Sequence, residues 1–363
     1  MSTDCKILVI NPGSTSTKVA VFNGKTKLYE ENIEHSAAAL KAAGGLSGQL
    51  EPRLADIHAA LAAAGYDDER YDVVAARGCP AGIFEAGAYE INESMVADCL
   101  SGSMPHPMSL GPVIAYRWAQ KLGAKAYNYD VVRVDELTDI ARISGSPLFE
   151  RSGASHTLNT KAVAREVAEG MGKRYDEVTF IMCHMGGGIG VNLHRFGRIV
   201  DVVGGDEGTF SPMRAGRVPL EQALKLLDKG EYSGRELNRI LRTQSGLAAY
   251  LGTNDCREVE RRISEGDARA KLIYDAMLYQ TAKDIGSMAA AVSGKVDRIV
   301  VTGGIAYSSY VADKLREMVS FIAPVVVRPG AIEMEALAYG ALRVFNGEEE
   351  AHSYPPEKRK GAD

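Results

Sequence analysis

Two stretches half a chain apart share one order of features: β-rich run, tight turn of small residues, second β-rich run, glycine turn, third run. The first spans Lys6 to Phe22, KILVINPGSTSTKVAVF, where ILVI and VAVF flank NPGSTST. Backbone N–H groups and hydroxyls of such a turn can point at an anion, and Lys18 follows as a mobile positive charge. The second spans Thr179 to Val203, where TFIMC enters HMGGG, leaves through IGVNL and turns at RFG into RIVDVV. Asn23-Gly24 and Phe196-Gly197 hold matching hairpin positions. A repeated strand–turn–strand clamp for phosphate is the layout these residues specify.

Two other phosphate motifs are excluded. GGGIG leads into a β-like run, so it lacks the helix N-terminus on which a dinucleotide fingerprint holds pyrophosphate. No GxxxxGK[ST] occurs.

At 363 residues the chain has room for two domains, each able to bury a core. A net charge of −5 offers no basic field for nucleic acid or an anionic membrane. Small anionic substrates would need locally placed arginines and lysines. Five cysteines without CxxC spacing suggest neither a disulfide framework nor a zinc site, and a reducing cytoplasm is the simplest setting. The start of the chain has no signal-like pattern, and no apolar run of 18 residues occurs.

Composition and periodicity predict two helices within 37–64 broken near Glu51-Pro52, a short strand over 71–76 ending at Arg77-Gly78, a helix over 109–122 and a strand over 124–132 ending around Asp130. A helix over 158–170, a Gly/Pro-rich loop over 204–219, a long helix over 267–292, a strand over 296–302 ending in Gly303-Gly304, a β-branched run over 324–327 and a helix over 333–345 follow. The charged segment 348–363 is expected not to pack. A domain boundary falls near Arg151 from the spacing of the repeats.

Several side chains suit ligand chemistry. Arg77 ends a strand and Arg214 sits in the loop GDEGTFSPMRAGRVP, where α/β proteins place binding groups, although each also reads as a solvated charge. Asp255 and Arg257 read equally as ligand groups or as a helix-capping pair. His184 precedes the glycine turn and His156 precedes a helix. No histidine spacing suggests a transition-metal site. Asp130, at a strand end, suits Mg²⁺ directly or through water.

NPGSTSTK, HMGGGIGV, SGLAAYLGTNDCREVE and IVVTGGIAYS together resemble the butyrate kinases of the acetokinase family, within the superfamily of acetate and sugar kinases, chaperone ATPases and actin. The resemblance runs in order along almost the entire chain. It implies an α/β fold of duplicated ribonuclease-H-like (actin-like ATPase) domains around a nucleotide cleft, placed here at 1–151 plus 334–363 on the acid side and 152–333 on the nucleotide side. It implies reversible phosphoryl transfer between ATP and a short-chain fatty acid, butyrate first, with Mg²⁺, in a cytoplasmic homo-oligomer. Asn11, Ser14, Ser16 and Lys18 become the first phosphate turn, and His184 with Gly186, Gly187 and Gly188 the second. Asp255, Arg257, Gly303 and Gly304 take the nucleotide. Arg77, His106 and Arg214 take the acid and the transferred group, with Arg77, Arg214, Asp130 and His156 as the catalytic set. Asn11, Asp130 and Glu333 lie on the magnesium side, with Glu335 an alternative to Glu333.

This chain departs from the family at Arg77-Gly78-Cys79-Pro80, where Arg-Gly-Gly is usual, at Ser109-Leu110-Gly111, where Asn-Leu-Gly is usual, and at Ala331, where an acid is common. The first two segments flank the expected acyl pocket, so acetate, propionate and branched acids stand beside butyrate. A non-catalytic nucleotide-binding module and a sugar kinase using Asp130 as base are the other readings.

Overall fold

The computed structural model describes residues 4–67, 70–102, 106–153 and 155–355. In chain order the elements are β1 (Lys6–Pro12), β2 (Ser16–Asn23), β3 (Thr26–Glu34), α1 (Ala37–Ala42), α2 (Leu50–Ala63), β4 (Val73–Ala76), β5 (Ala88–Glu90), α3 (Glu93–Leu100), α4 (Leu110–Leu122), β6 (Lys125–Tyr129), α5 (Asp139–Arg142) and α6 (Thr157–Gly170). Then come β7 (Thr179–Met185), β8 (Ile189–Arg195), β9 (Arg198–Gly204), α7 (Leu220–Asp228), α8 (Gly234–Thr243), α9 (Gly246–Leu251), α10 (Cys256–Ser264), α11 (Ala268–Ala291), β10 (Arg298–Gly303), α12 (Ser309–Val319), β11 (Val325–Pro329) and α13 (Glu333–Phe345).

The chain divides into two units, Met1–Asp135 with Thr157–Asn159 and Ile332–Asp363, and Glu136–His156 with Thr160–Ala331. This differs from a boundary at Arg151. Segment 136–151 belongs with the second unit because its side chains are used there. Glu136 pairs with Lys161 at 2.8 Å and accepts from Ile199 N, while Arg151 pairs with Asp201 and donates to Val202 O. Ile332 and Glu333 fall in the first unit.

Unit 1 is built on the sheet β3-β2-β1-β4-β6-β5. β1 is buried at all but its first residue because both faces are covered. Leu8, Ile10, Val19 and Val21 face Ile57 and Leu61 of α2 and Val113 and Trp118 of α4. On the other face Phe22 meets Tyr339 of α13 edge-on. The 37–64 region breaks at Gly44 and Gly45, at φ 71° and 135°. Pro52 lies in the first turn of α2, where its missing N–H costs nothing. Segment 348–355 packs, against expectation: Tyr354 is buried and stacks on Phe84, His352 N donates to Ala88 O, and Glu349 pairs with Arg343. Its two aromatic rings outweigh its charges; residues 356–363 of that expectation lie outside the described residues. Strand β5 and helix α3 were not anticipated.

Unit 2 has the sheet β11-β10-β7-β8-β9. Odd positions Ile181, Cys183, Val191 and Leu193 meet α11 through Tyr274, Leu278 and Ile285. Even positions turn to the other face, where Asn192 Nδ2 donates to Ser155 O ahead of α6. The β8–β9 hairpin turns at Phe196-Gly197, both at positive φ, joining Arg195 to Arg198 as the sequence pattern predicts. Two mixed α/β sheets are thus each entered by an antiparallel hairpin, β1-β2-β3 and β7-β8-β9. Among the described residues no helix is long and apolar enough to cross a membrane.

His194 is fully enclosed in unit 2, its Nδ1 hydrogen-bonded to the Tyr175 hydroxyl at 2.8 Å. Burial, then Lys161 and Arg165, hold its pKa well below the usual 6.5. The unfolded chain takes up that proton first, so folding stability falls as pH drops below about 6.5, by up to about 1.4 kcal/mol per pH unit. His194→Gln retains both a donor and an acceptor for Tyr175 but does not titrate. Urea unfolding at pH 7.0 and 5.5 should show a smaller acid loss in that variant; an equal loss places the effect elsewhere.

Candidate functional site

In unit 1 the first turn joins β1 to β2, closed by Gly13 N donating to Ser16 O at 2.7 Å. Asn11 stands opposite Lys18 and Pro12 opposite Thr17. Alternation therefore puts Asn11, Lys18 and Ser16 on one face of the hairpin and Thr17 on the other. The Asn11 face carries the start of α13: Asn11 Nδ2 donates to Glu333 Oε2 at 3.0 Å, and Arg77 Nη1 donates to Glu333 Oε1. Glu333 opens its helix, where a carboxylate is favoured by the aligned backbone N–H groups. Arg77 is held at the end of β4 by its backbone bond to Ile10 O, and its Nε is buried with no partner among the described residues. Glu335 is turned elsewhere, pairing with Lys27 at 2.7 Å.

The neighbourhood of Arg77 depends on two glycines that bring α4 against the strand end. A Cβ at Gly111 would stand 2.0 Å from Arg77 O, and one at Gly78 would stand 2.3 Å from Pro112 Cγ. The segments 77–80 and 109–111 touch, Ser109 Oγ donating to Cys79 O at 3.2 Å. His106 is exposed and caps the turn ahead of α4, with Nδ1 accepting from Met108 N. Partial burial, then the Arg77 charge, push its pKa down, which keeps the ring neutral. Asp130 lies beyond the β4–β6 register pair Ala76 and Asn128, alongside Arg77-Gly78. It is 3% exposed, adopts φ 43°, and is pinned by Gly87, whose N donates to its Oδ1 at 2.9 Å. Asp130 is thus a fixed, enclosed carboxylate rather than an open one.

Unit 2 gathers its own set. His184, one residue before the end of β7, lies on the even face and is buried; His156, in a left-handed conformation ahead of α6, stacks on it at 4.0 Å between ring centroids. The β7–β8 turn is Gly186-Gly187-Gly188, closed by Gly186 N donating to Gly188 O. None of the three adopts positive φ, contrary to the simplest reason for three glycines. At Gly188 the close neighbour is Arg214: a Cβ there would lie 2.8 Å from its Nη1 and would displace the guanidinium. Arg214 is in turn placed by its backbone, which exchanges bonds with Ser211, whose Oγ donates to Gly187 O.

Beside this turn, Thr302 of β10 pairs in parallel with His184, so the glycines that follow each strand are neighbours. Gly303 is confined, at φ 92°, with Met185 O 2.3 Å from any Cβ. The two glycine turns and the start of α10 enclose a cavity of about 770 Å³ lined by Gly186, Gly187, Asp255, Arg257 and Gly304, together with Met213, Asn254, Cys256, Glu260, Tyr307 and Ser308. That volume lies within the range of small-molecule sites. Asp255 caps α10 by accepting from Arg257 N and also pairs with the Arg257 side chain, which draws its carboxyl down to about 2. Capping and lining the cavity are therefore one arrangement, not alternatives. Glu260, one turn further along α10, was not singled out from sequence. Its Oε1 accepts from Ser308 Oγ at 2.6 Å and Tyr274 OH at 2.8 Å, which aims it at the cavity. Among the described residues no three His, Cys, Asp or Glu side chains are grouped as a metal cage.

Residues 144–323 match the model of the acetokinase family. That segment carries the acetokinase pattern. Acetate kinase from Porphyromonas gingivalis superposes with a TM-score of 0.76 at 20% identity, over 94% of this chain and 100% of that one. Acetate kinase from Entamoeba histolytica gives 0.74 at 18%, over 92% and 98%. Propionate kinase from Francisella tularensis gives 0.73 at 17%, over 93% and 98%. The chain shares their two-domain, actin-like ATPase fold.

The glycines separate in their requirements. Gly303→Ala should destabilise the protein by more than about 2 kcal/mol, from positive φ and backbone collision together. Gly187→Ala, with open space around its Cβ, should leave the urea midpoint unchanged. Equal midpoints for the two variants would contradict this geometry.

Proposed function

We propose that this protein transfers a phosphoryl group between ATP and a short-chain carboxylic acid, forming an acyl phosphate and ADP reversibly, with butyrate the first candidate and acetate, propionate or a branched acid next. The observation that carries the reading is Arg77: one edge of its guanidinium is held by Glu333 at the end of β4, and the side chain keeps partial exposure. A substrate carboxylate accepting in the plane of the guanidinium suits its remaining donors. The acetokinase pattern over 144–323 and the acetate and propionate kinases of like fold support the same chemistry.

A fatty acid ionises near pH 4 to 5, roughly as glutamate does, so at neutral pH its carboxylate is already the nucleophile and no enzyme base is needed. The obstacle is repulsion between two anions, which calls for fixed positive charge and alignment. Arg77 orients the acid. Asp255, Arg257, Gly303 and Gly304 belong to the nucleotide, with Gly186, Gly187, Gly188 and His184 along its phosphates. Arg214, braced over Gly188, donates to the oxygens that gain charge. His156 holds the His184 ring by stacking. Asn11, Ser14, Ser16 and Lys18 form a second phosphoryl-binding turn, and His106 borders the acid.

Oxygen donors suit Mg²⁺, and Asn11, Asp130 and Glu333 would hold it through water, because both Glu333 oxygens and Asp130 Oδ1 already accept bonds. Bound there, the ion neutralises phosphate charge. The enclosure of Asp130 and its bond to Gly87 suit an orienting group better than the base a sugar kinase needs. A cytoplasmic homo-oligomer belongs to the same reading.

Trapping acyl phosphate as hydroxamate over straight and branched acids of two to six carbons tests the reaction and ranks the acids; ATP binding without turnover on any of them favours a non-catalytic module. Arg214→Ala should lower turnover by about a hundredfold or more with the fold intact, and turnover within threefold of the parent would remove its role. Reciprocal initial-rate plots should intersect, as direct transfer requires; parallel lines would indicate a phosphoenzyme.

A further inference from the structure

Arg53, the fourth residue of α2, is 0% exposed and lies on the Thr17 face of the first hairpin, behind the turn. Nη1 donates to Ser16 O at 3.1 Å and Thr17 Oγ1 at 2.9 Å; Nη2 donates to Ser14 O at 3.1 Å and Gln49 Oε1 at 3.2 Å. Among the described residues Nε is buried without a partner. Thr17 Oγ1 also meets His35 Nε2 at 2.8 Å, and His35 Nδ1 meets Asp56 Oδ2 at 2.7 Å. Among the described residues no carboxylate forms an ion pair with Arg53. Burial draws its pKa down, and Asp56 raises it only from a distance.

A buried cation without a paired anion is expensive, and bracing a turn does not require one. A neutral amide would donate to the same carbonyls without desolvating a charge. The charge makes sense if an anion completes it on the far side of the turn. The peptide from Ser14 to Thr15 is trans, so with its carbonyl held toward Arg53 its N–H points away. A charged donor at the carbonyl polarises that peptide and strengthens the N–H as a donor.

We propose that Arg53 is a positioning residue that presets the Gly13–Ser16 turn for a phosphoryl group and supplies its buried positive charge. The proposal rests on the kinase reading for its ligand, which is the phosphoryl group of ATP or of the acyl phosphate.

Arg53→Gln retains N–H donors without charge, and Arg53→Lys retains charge without the fork. Initial rates in both directions should show KM for the phosphoryl donor raised about tenfold or more in the Gln variant and threefold or less in the Lys variant, with KM for the acid unchanged. A rise for ATP alone, or for acyl phosphate alone, identifies the source of the group. Equal behaviour of Gln and Lys, or a matching rise in KM for the acid, overturns the proposal. Should the parent protein make no acyl phosphate, calorimetric titration with ATP still separates the two ideas: affinity lost in the Gln variant and kept in the Lys variant supports Arg53 while the kinase reading fails. Should neither variant fold, the buried Arg53 Nε–H resonance of the unaltered protein should shift with ATP and not with AMP. No shift with either overturns the role.

Discussion

The Glu333 carboxylate ties together three pieces of chain that are far apart in sequence. Its two oxygens accept from Asn11 at the end of β1 and Arg77 at the end of β4, while its own backbone opens α13. A partly exposed pair of this kind contributes little stability by itself. Its consequence is orientation: with one edge of the Arg77 guanidinium occupied by Glu333, the side chain is held in one pose at the end of β4. An arginine free to rotate would lose that preset geometry on every encounter. Arg53, on the other face of the first hairpin, braces its turn through bonds of its own to Ser14, Ser16 and Thr17.

Unit 2 reaches comparable order by close approach rather than by charge pairing. Gly188 leaves room for Arg214, and Gly303 lets its turn press against Met185 O. The stacked His156 and His184 rings then close the even face of the sheet. The cavity beside these turns is shaped by missing side chains as much as by those present. Its polar wall, from Asp255 and Arg257 to Glu260, sits on the first turns of α10, so helix capping and ligand lining use the same atoms.

Much of this was legible in advance because it depends on local pattern. Alternating apolar runs interrupted by NPGSTST and HMGGG, with Asn-Gly and Phe-Gly turns, are short-range signals, and the strands and hairpins appear where those signals lie. The long helix α11 and the terminal helix α13 follow the same logic. Errors arose where a local rule met a competing local rule or a distant partner. Pro52 looked like a break, yet proline is tolerated in a first turn and the paired glycines at 44 and 45 end the preceding helix. Segment 348–355 looked like a solvated tail, yet Tyr354 and His352 found aromatic partners at Phe84 and Tyr89. Arg53 gave no signal, since an arginine in a helical run reads as surface until its burial is known.

The sequence by itself determined the duplicated hairpins, the strand ends near Arg77, His184 and Gly303, and the long helix that opens near Asp267, because propensity, alternation and turn chemistry act over a few residues. Only the tertiary structure decided which side chains meet. That Glu333, and not Glu335, engages Arg77, that Asp130 is enclosed while His106 is open, and that Gly188 serves Arg214 instead of a left-handed turn all depend on contacts between residues tens to hundreds of positions apart. Such contacts are set by how helices and strands pack, which no local pattern encodes.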